Sequence, residues 1–194
     1  MNIGIFVFDD AEVLDFAGPF EVFSVTGQIA GKELNVFTIG NRQGLIRAVN
    51  GFKVQPDHTI HDHPPVELLV VAGGQGTRQL LEESATLEWL QQTYEQASVV
   101  VSVCSAARLF AKLGLLNGKP FCTHHQVYEH IQSIEPLAIP MTEERFTQTN
   151  EKLYTSGGIS AGIDVSFHIL HKLFGPETAN DVADYMEYRI LKTT

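Results

Sequence analysis

Short apolar runs recur along the chain, and they are near-continuous rather than alternating. Residues 3–8 (I-G-I-F-V-F), 34–39 (L-N-V-F-T-I), 67–71 (E-L-L-V-V) and 98–103 (S-V-V-V-S-V) carry this pattern. It predicts strands covered on both faces, as in a parallel sheet. Between them the apolar positions switch to a helical spacing. Phe16, Phe20 and Phe23 share one helical face; Leu80, Leu81, Leu87 and Leu90 mark a second helix. Leu109, Phe110, Leu113 and Leu116 mark a third, which Gly118 ends. Residues 163–174 and 177–190 read as a helical pair split by Gly175 and Pro176. Residues 44–56 and 137–155 predict further β-segments, as a small hairpin or an edge pairing. The alternation as a whole predicts an α/β three-layer sandwich with a mostly parallel central sheet, flavodoxin-like in outline. No linker or repeat divides residues 1–194, which are read as one domain.

Charge narrows the partners. Asp and Glu number 23 against 13 Lys and Arg, a net charge of -10, and no basic cluster offsets it. Nucleic acid and anionic membrane surfaces are therefore not expected as partners. No apolar run approaches the roughly 20 residues needed to span a bilayer. The first residues show no signal-peptide pattern, so a cytoplasmic location is expected. The two cysteines, Cys104 and Cys122, make no disulfide framework and are expected as free thiols in a reducing compartment.

In a sheet of this kind ligands gather beyond the carboxyl ends of the strands. Three places qualify: Asp9, Asp10 and Asp15; Gly73 and Gly74; Cys104 and Ser105. Cys104 falls where a buried strand turns into a helix, so it reads as the corner of a nucleophile elbow with a helix N-terminus favouring its thiolate. The same residue also reads as a small buried hydrophobe. If the strands before Gly73 and Cys104 pair, the amides of Gly74 and Ser105 would converge as an oxyanion site; the two glycines also read simply as a turn. The run Gly73 to Gly76 is too short for a phosphate loop and lacks its lysine, so no cofactor is expected. His58, His61 and His63 are closely spaced, but Pro64 and Pro65 follow and no fourth ligand is near. They read as an ordinary loop without a metal. Cys122 lies in a strand-like run, and Asp15, early in its helix, reads on its own as a cap or dipole partner.

Four stretches together resemble the ThiJ/PfpI superfamily: V-V-A-G-G at 70–74, V-C-S at 103–105, G-L-L-N-G at 114–118 followed by Thr123 and His124, and T-S-G-G-I-S-A-G-I-D at 155–164. The resemblance spans nearly the whole chain. It implies this fold and makes Cys104 the reactive residue, but the superfamily includes proteases, chaperones, glyoxalases, hydratases and sensors. Its protease-like branch has histidine directly after the cysteine, where this chain has Ser105. The Gly175-Pro176-Glu177 segment also lacks the histidine of related amidotransferases, so a Cys-His-Glu hydrolase is not expected. Glu21 lies too far along its helix for the glutamate of the glyoxalase and deglycase relatives. The stretch L-D-F-A-G-P-F-E-V-F at 14–23 is similar to the isonitrile hydratase branch, which has Cys-Thr where this chain has Cys104-Ser105. That likeness implies a cysteine-dependent lyase adding water to an isonitrile-like small molecule to give an N-substituted formamide. Cys104, Asp15 and Ser105 would be catalytic, and Gly73, Gly74 and His124 would line the substrate site; His125 reads as structural. A homodimer is expected from the same resemblance. Similar domains precede DNA-binding helices in regulators, and none follows the α/β pattern here. A ligand or redox sensor using Cys104, or a glyoxalase- or deglycase-like enzyme, stays open.

Overall fold

The computed structural model describes residues 1–190. The first strand, β1 (Asn2–Val7), is buried from Ile3 onward and leads into helix α1 (Val13–Ile29). Strand β2 (Asn35–Gly40) returns alongside β1, and a small antiparallel hairpin follows, β3 (Ile46–Arg47) with β4 (Lys53–Val54). Next come β5 (His58–Thr59) and β6 (Leu68–Val71), then helices α2 (Thr77–Leu80) and α3 (Ser84–Gln96). Strand β7 (Val99–Val103) passes through a single 3-10 turn, Cys104–Ala106, into α4 (Ala107–Lys112). The rest comprises β8 (Pro120–Phe121), α5 (Tyr128–Ile134), β9 (Ile139–Pro140), β10 (Phe146–Gln148), β11 (Leu153–Ser156) and α6 (Ala161–Tyr185).

The central sheet has seven strands in the order β10-β11-β7-β6-β1-β2-β5, and every pairing is parallel except β10 with β11. Its middle strands carry the apolar runs seen in the sequence. All four residues of β6 are buried completely, each side chain contributing roughly 1.5–3 kcal/mol relative to exposure. Helices α1 and α6 pack together and enclose a satellite core of Val22, Val25, Phe167, Leu170 and Val182. On the other side Trp89 of α3 lies against Phe6 with ring centroids 4.7 Å apart. The expected three-layer sandwich is what the chain forms. No helix among the described residues is long and apolar enough to cross a membrane.

Several elements differ from their expected form. The helix read over Leu80 to Leu90 is two helices, with Leu81 to Glu83 turning between them. The helix expected to run to Gly118 ends at Lys112. There Gly114 takes the left-handed conformation (φ +73) and Leu115 N–H reaches back to the Phe110 carbonyl at 2.9 Å, a glycine C-cap. The last helix breaks at Gly175 as read, but ends at Tyr185 instead of residue 190. The segment at 44–56 is the expected hairpin, whereas β11 is no edge strand: it lies inside the sheet, parallel to β7. The histidine-rich stretch read as a loop supplies β5, the opposite edge.

Candidate active site

Parallel order places the ends of β1, β6 and β7 side by side, so the loops after them meet. Ile5 pairs with Val70 and Val70 with Val101, which brings Gly73 next to the Cys104 turn. Cys104 has φ +58, a conformation that side-chain-bearing residues rarely adopt. The surroundings hold it there. Its amide donates to the Gly157 carbonyl at 3.2 Å, and its carbonyl accepts from Thr123 Oγ1 at 2.7 Å. This strained strand-to-helix corner has the backbone geometry of a nucleophile elbow.

Asp15 sits in the first turn of α1, yet it makes no cap bond and is fully buried. Its carboxylate turns away from its own helix and into the site. Oδ2 accepts from the Gly73 amide and Oδ1 from the Ile159 amide, each at 3.0 Å. Ile159, at φ +57, is a second strained residue, and its conformation aims that amide. A Cβ placed on Gly73 would lie 2.7 Å from Cys104 Cβ and 2.8 Å from Asp15 Oδ2. The thiol and the carboxyl thus flank the same glycine, and each acts on the other's pKa. Burial drives the Asp15 pKa up from 3.8 to about 7, against the two amides and the thiol, which favour the carboxylate.

The thiol does not take the form the elbow alone suggests. Burial, followed by the charge of Asp15, pushes the Cys104 pKa up to about 12, while the Ser105 amide acts in the opposite sense. Burial and the charge of Asp15 keep the expected thiolate from dominating the resting state. What the geometry builds is a coupled thiol–carboxyl pair.

The glycine pair also works differently from the expected oxyanion site. The Gly74 amide donates to Ser105 Oγ at 2.8 Å, and Ser105 Oγ donates back to the Gly74 carbonyl at 2.9 Å. Thr77 Oγ1 reinforces that carbonyl at 2.8 Å. The Gly73 amide belongs to Asp15, so neither glycine offers a free donor, and the Ser105 hydroxyl clamps the loop. The Ser105 amide and hydroxyl both favour the thiolate of Cys104.

His124 borders the sulfur from the far side. A Cβ on Gly158 would lie 2.5 Å from the His124 ring and 3.1 Å from Cys104 Sγ, so this glycine keeps the space above the thiol open. Burial, followed by the charge of the neighbouring His125, holds the His124 pKa below its ordinary value. The Gly158→Ala variant is expected to put a methyl group into that space. Alkylation of Cys104 by iodoacetamide should therefore slow several-fold. Alkylation kinetics beside an unchanged circular dichroism spectrum checks this.

Other sequence candidates lie apart from the pair. Asp9 pairs with Arg42 at 2.6 Å and receives the Arg47 amide, tethering the hairpin. His63 accepts from Trp89 Nε1 at 2.7 Å while its Nδ1 meets the Pro64 carbonyl, which commits both ring nitrogens to the fold. Cys122 is fully buried, its amide bonded to Thr155 Oγ1. Gly158 and the Ile159 amide also border the pair, although neither was among the site residues read from the sequence. Both lie inside the motif at 155–164, whose glycine pair was the signal.

Asp15 gives the fold a pH signature. The folded chain holds its proton up to about pH 7, whereas an unfolded aspartate releases it near 3.8. Between those values the folded state binds more protons, so stability falls as pH rises through the window and is flat above it. The Asp15→Asn variant should lack this component. Urea unfolding at about pH 5 and 8 is expected to show wild type losing on the order of 3 kcal/mol more than the variant.

Fold and site together define an α/β protein with a cysteine elbow facing a buried carboxyl group. The DJ-1/PfpI family model matches residues 1–172, and the chain belongs to that family. Isonitrile hydratase of Pseudomonas putida is 29% identical over 97% of this chain and 78% of its own. The HTH-type transcriptional regulator GbdR of Pseudomonas aeruginosa is 25% identical over 98% of this chain, which spans only 52% of the regulator's length. A solved THiJ/PfpI family protein from Pseudomonas syringae superimposes with a TM-score of 0.86 at 22% identity, covering all of this chain and 77% of that one.

Proposed function

We propose that the chain is a cysteine-dependent hydratase adding water to an isonitrile-type carbon. The observation that carries the reading is the buried Asp15 carboxyl facing the Cys104 thiol, with a pKa raised to about 7. A carboxyl group with that pKa serves as acid and base in turn near neutrality. The 29% identity to an isonitrile hydratase supports the choice of substrate.

In the mechanism, Cys104 sulfur bonds to the terminal carbon of R–NC. Asp15 delivers a proton to that carbon and receives the thiol proton, giving the thioimidate R–N=CH–S–Cys104. Water then adds to the same carbon: Asp15 passes the proton it received from the thiol to the imine nitrogen and takes one from the water. Collapse expels the sulfur and releases R–NH–CHO, and the thiol recovers its proton. The sum is one water added. The Ser105 amide, facing the sulfur, steadies the thiolate when it leaves, and His124 lines the approach.

Purified protein incubated with cyclohexyl isocyanide should release N-cyclohexylformamide over many turnovers, followed by chromatography. Stoichiometric modification of Cys104 without turnover would instead favour a ligand sensor. That second reading draws on the regulator relative, whose chain is about twice as long as the matched region.

A further inference from the structure

Burial and charge are in conflict at Arg108. It is the second residue of α4, one helical turn beyond Cys104, and only 2% exposed. A guanidinium at that depth is ordinarily held by a carboxylate. Here Nε donates to His130 Nδ1 of α5 at 2.9 Å and Nη1 donates to Thr77 Oγ1 of α2 at 2.8 Å. Both acceptors are neutral, and none of the ion pairs among the described residues includes Arg108. Thr77 Oγ1 in turn lies 3.4 Å from Ser105 Oγ. One hydroxyl therefore separates the cation from the residue that follows the reactive cysteine.

We propose that Arg108 is a positioning residue whose buried charge balances the negative charge carried by the Cys104–Asp15 pair. Once Asp15 ionises, the pair holds one net negative charge away from water, and this charge passes to sulfur or carboxylate as the proton moves. A fixed cation nearby stabilises every such state, and through protein its field falls off slowly. The other charged or titratable groups around the two residues do not supply it. Arg78 of α2 acts on Arg108 with like sign, Glu12 adds negative charge beside Asp15, and His124, held below its ordinary pKa, senses both Arg108 and Glu12. Burial and Arg78 lower the Arg108 pKa while Cys104 raises it; the group stays protonated at neutral pH in any case.

The inference rests on Cys104 being the reactive residue, not on isonitrile being its substrate, so the readout is the thiol itself. Iodoacetamide alkylation of Cys104, mapped by mass spectrometry on the full chain, is followed from about pH 7 to 9. Arg108→Gln, which keeps donors but loses charge, should slow alkylation roughly three- to ten-fold at each pH, a pKa rise of about one unit partly offset by stronger nucleophilicity. Arg108→Lys should restore the rate to within about twofold of wild type. His130→Glu, at a half-buried position, places a carboxylate against the guanidinium and should slow alkylation as Arg108→Gln does. It reads the same charge if Arg108→Gln fails to fold. Wild-type rates in Arg108→Gln or in His130→Glu, or equal slowing in Arg108→Gln and Arg108→Lys, would overturn the proposal. The last outcome would make Arg108 a tie between helices.

Discussion

Asp15→Asn is expected to move two properties of Cys104 in opposite directions. Turnover of cyclohexyl isocyanide should drop by about 10²–10⁴-fold, the usual range for one acid–base group. Alkylation of Cys104 above pH 7 should become faster by several-fold. The carboxylate charge is, after burial, the main influence raising the thiol pKa. Removing it yields about tenfold more thiolate per pKa unit, part of which is lost again through weaker nucleophilicity. Asparagine also cannot accept from both the Gly73 and Ile159 amides, since its nitrogen is a donor. Some loosening of the 157–160 loop is therefore expected, visible as faster amide exchange there. A thiol that reacts faster with iodoacetamide while turnover collapses separates proton transfer from simple access. If both rates fell together, Asp15 would be a structural support and no acid–base partner.

The sheet was legible because its middle strands, β1, β6 and β7, are near-continuous apolar runs buried on both faces, with Ser102 of β7 a buried polar exception. Cys104 was legible for a related reason: the apolar run stops at it and helical spacing begins. What escaped notice depends on short or long-range pairing. β5 is two residues long, and His58 and Thr59 look like part of a loop until Ile39 and Gly40 are seen beside them. β11 falls in the stretch at 137–155 read as a hairpin or edge pairing, and only its parallel pairing with β7 puts it inside the sheet.

At the site, residue types were readable but their bonding was not. The Gly74 and Ser105 pair looked like two free amides, yet a serine hydroxyl can donate and accept within one loop, and here it occupies Gly74 on both sides. The state of the thiol was misjudged from the helix N-terminus alone. Desolvation and an adjacent carboxylate outweigh a helix of six residues. Nothing in the sequence marks Arg108, and only its burial sets it apart.

The central claim is that Cys104 is the nucleophile and that its sulfur carries the substrate carbon between two proton transfers. Cys104→Ala removes that bond outright and leaves Asp15, His124 and the loop amides in place. Without the sulfur, water would have to attack the isonitrile carbon directly, so the loss should be far larger than for Asp15, on the order of 10⁴–10⁶-fold as for other enzymatic nucleophiles. Alanine at φ +58 retains the elbow strain, so folding is checked by circular dichroism and thermal unfolding beside wild type. The deciding measurement is the rate of N-cyclohexylformamide formation by wild type and Cys104→Ala, side by side at neutral pH. Many turnovers by wild type and none above buffer by the folded variant is the predicted result; full activity in Cys104→Ala would contradict the mechanism at its first step.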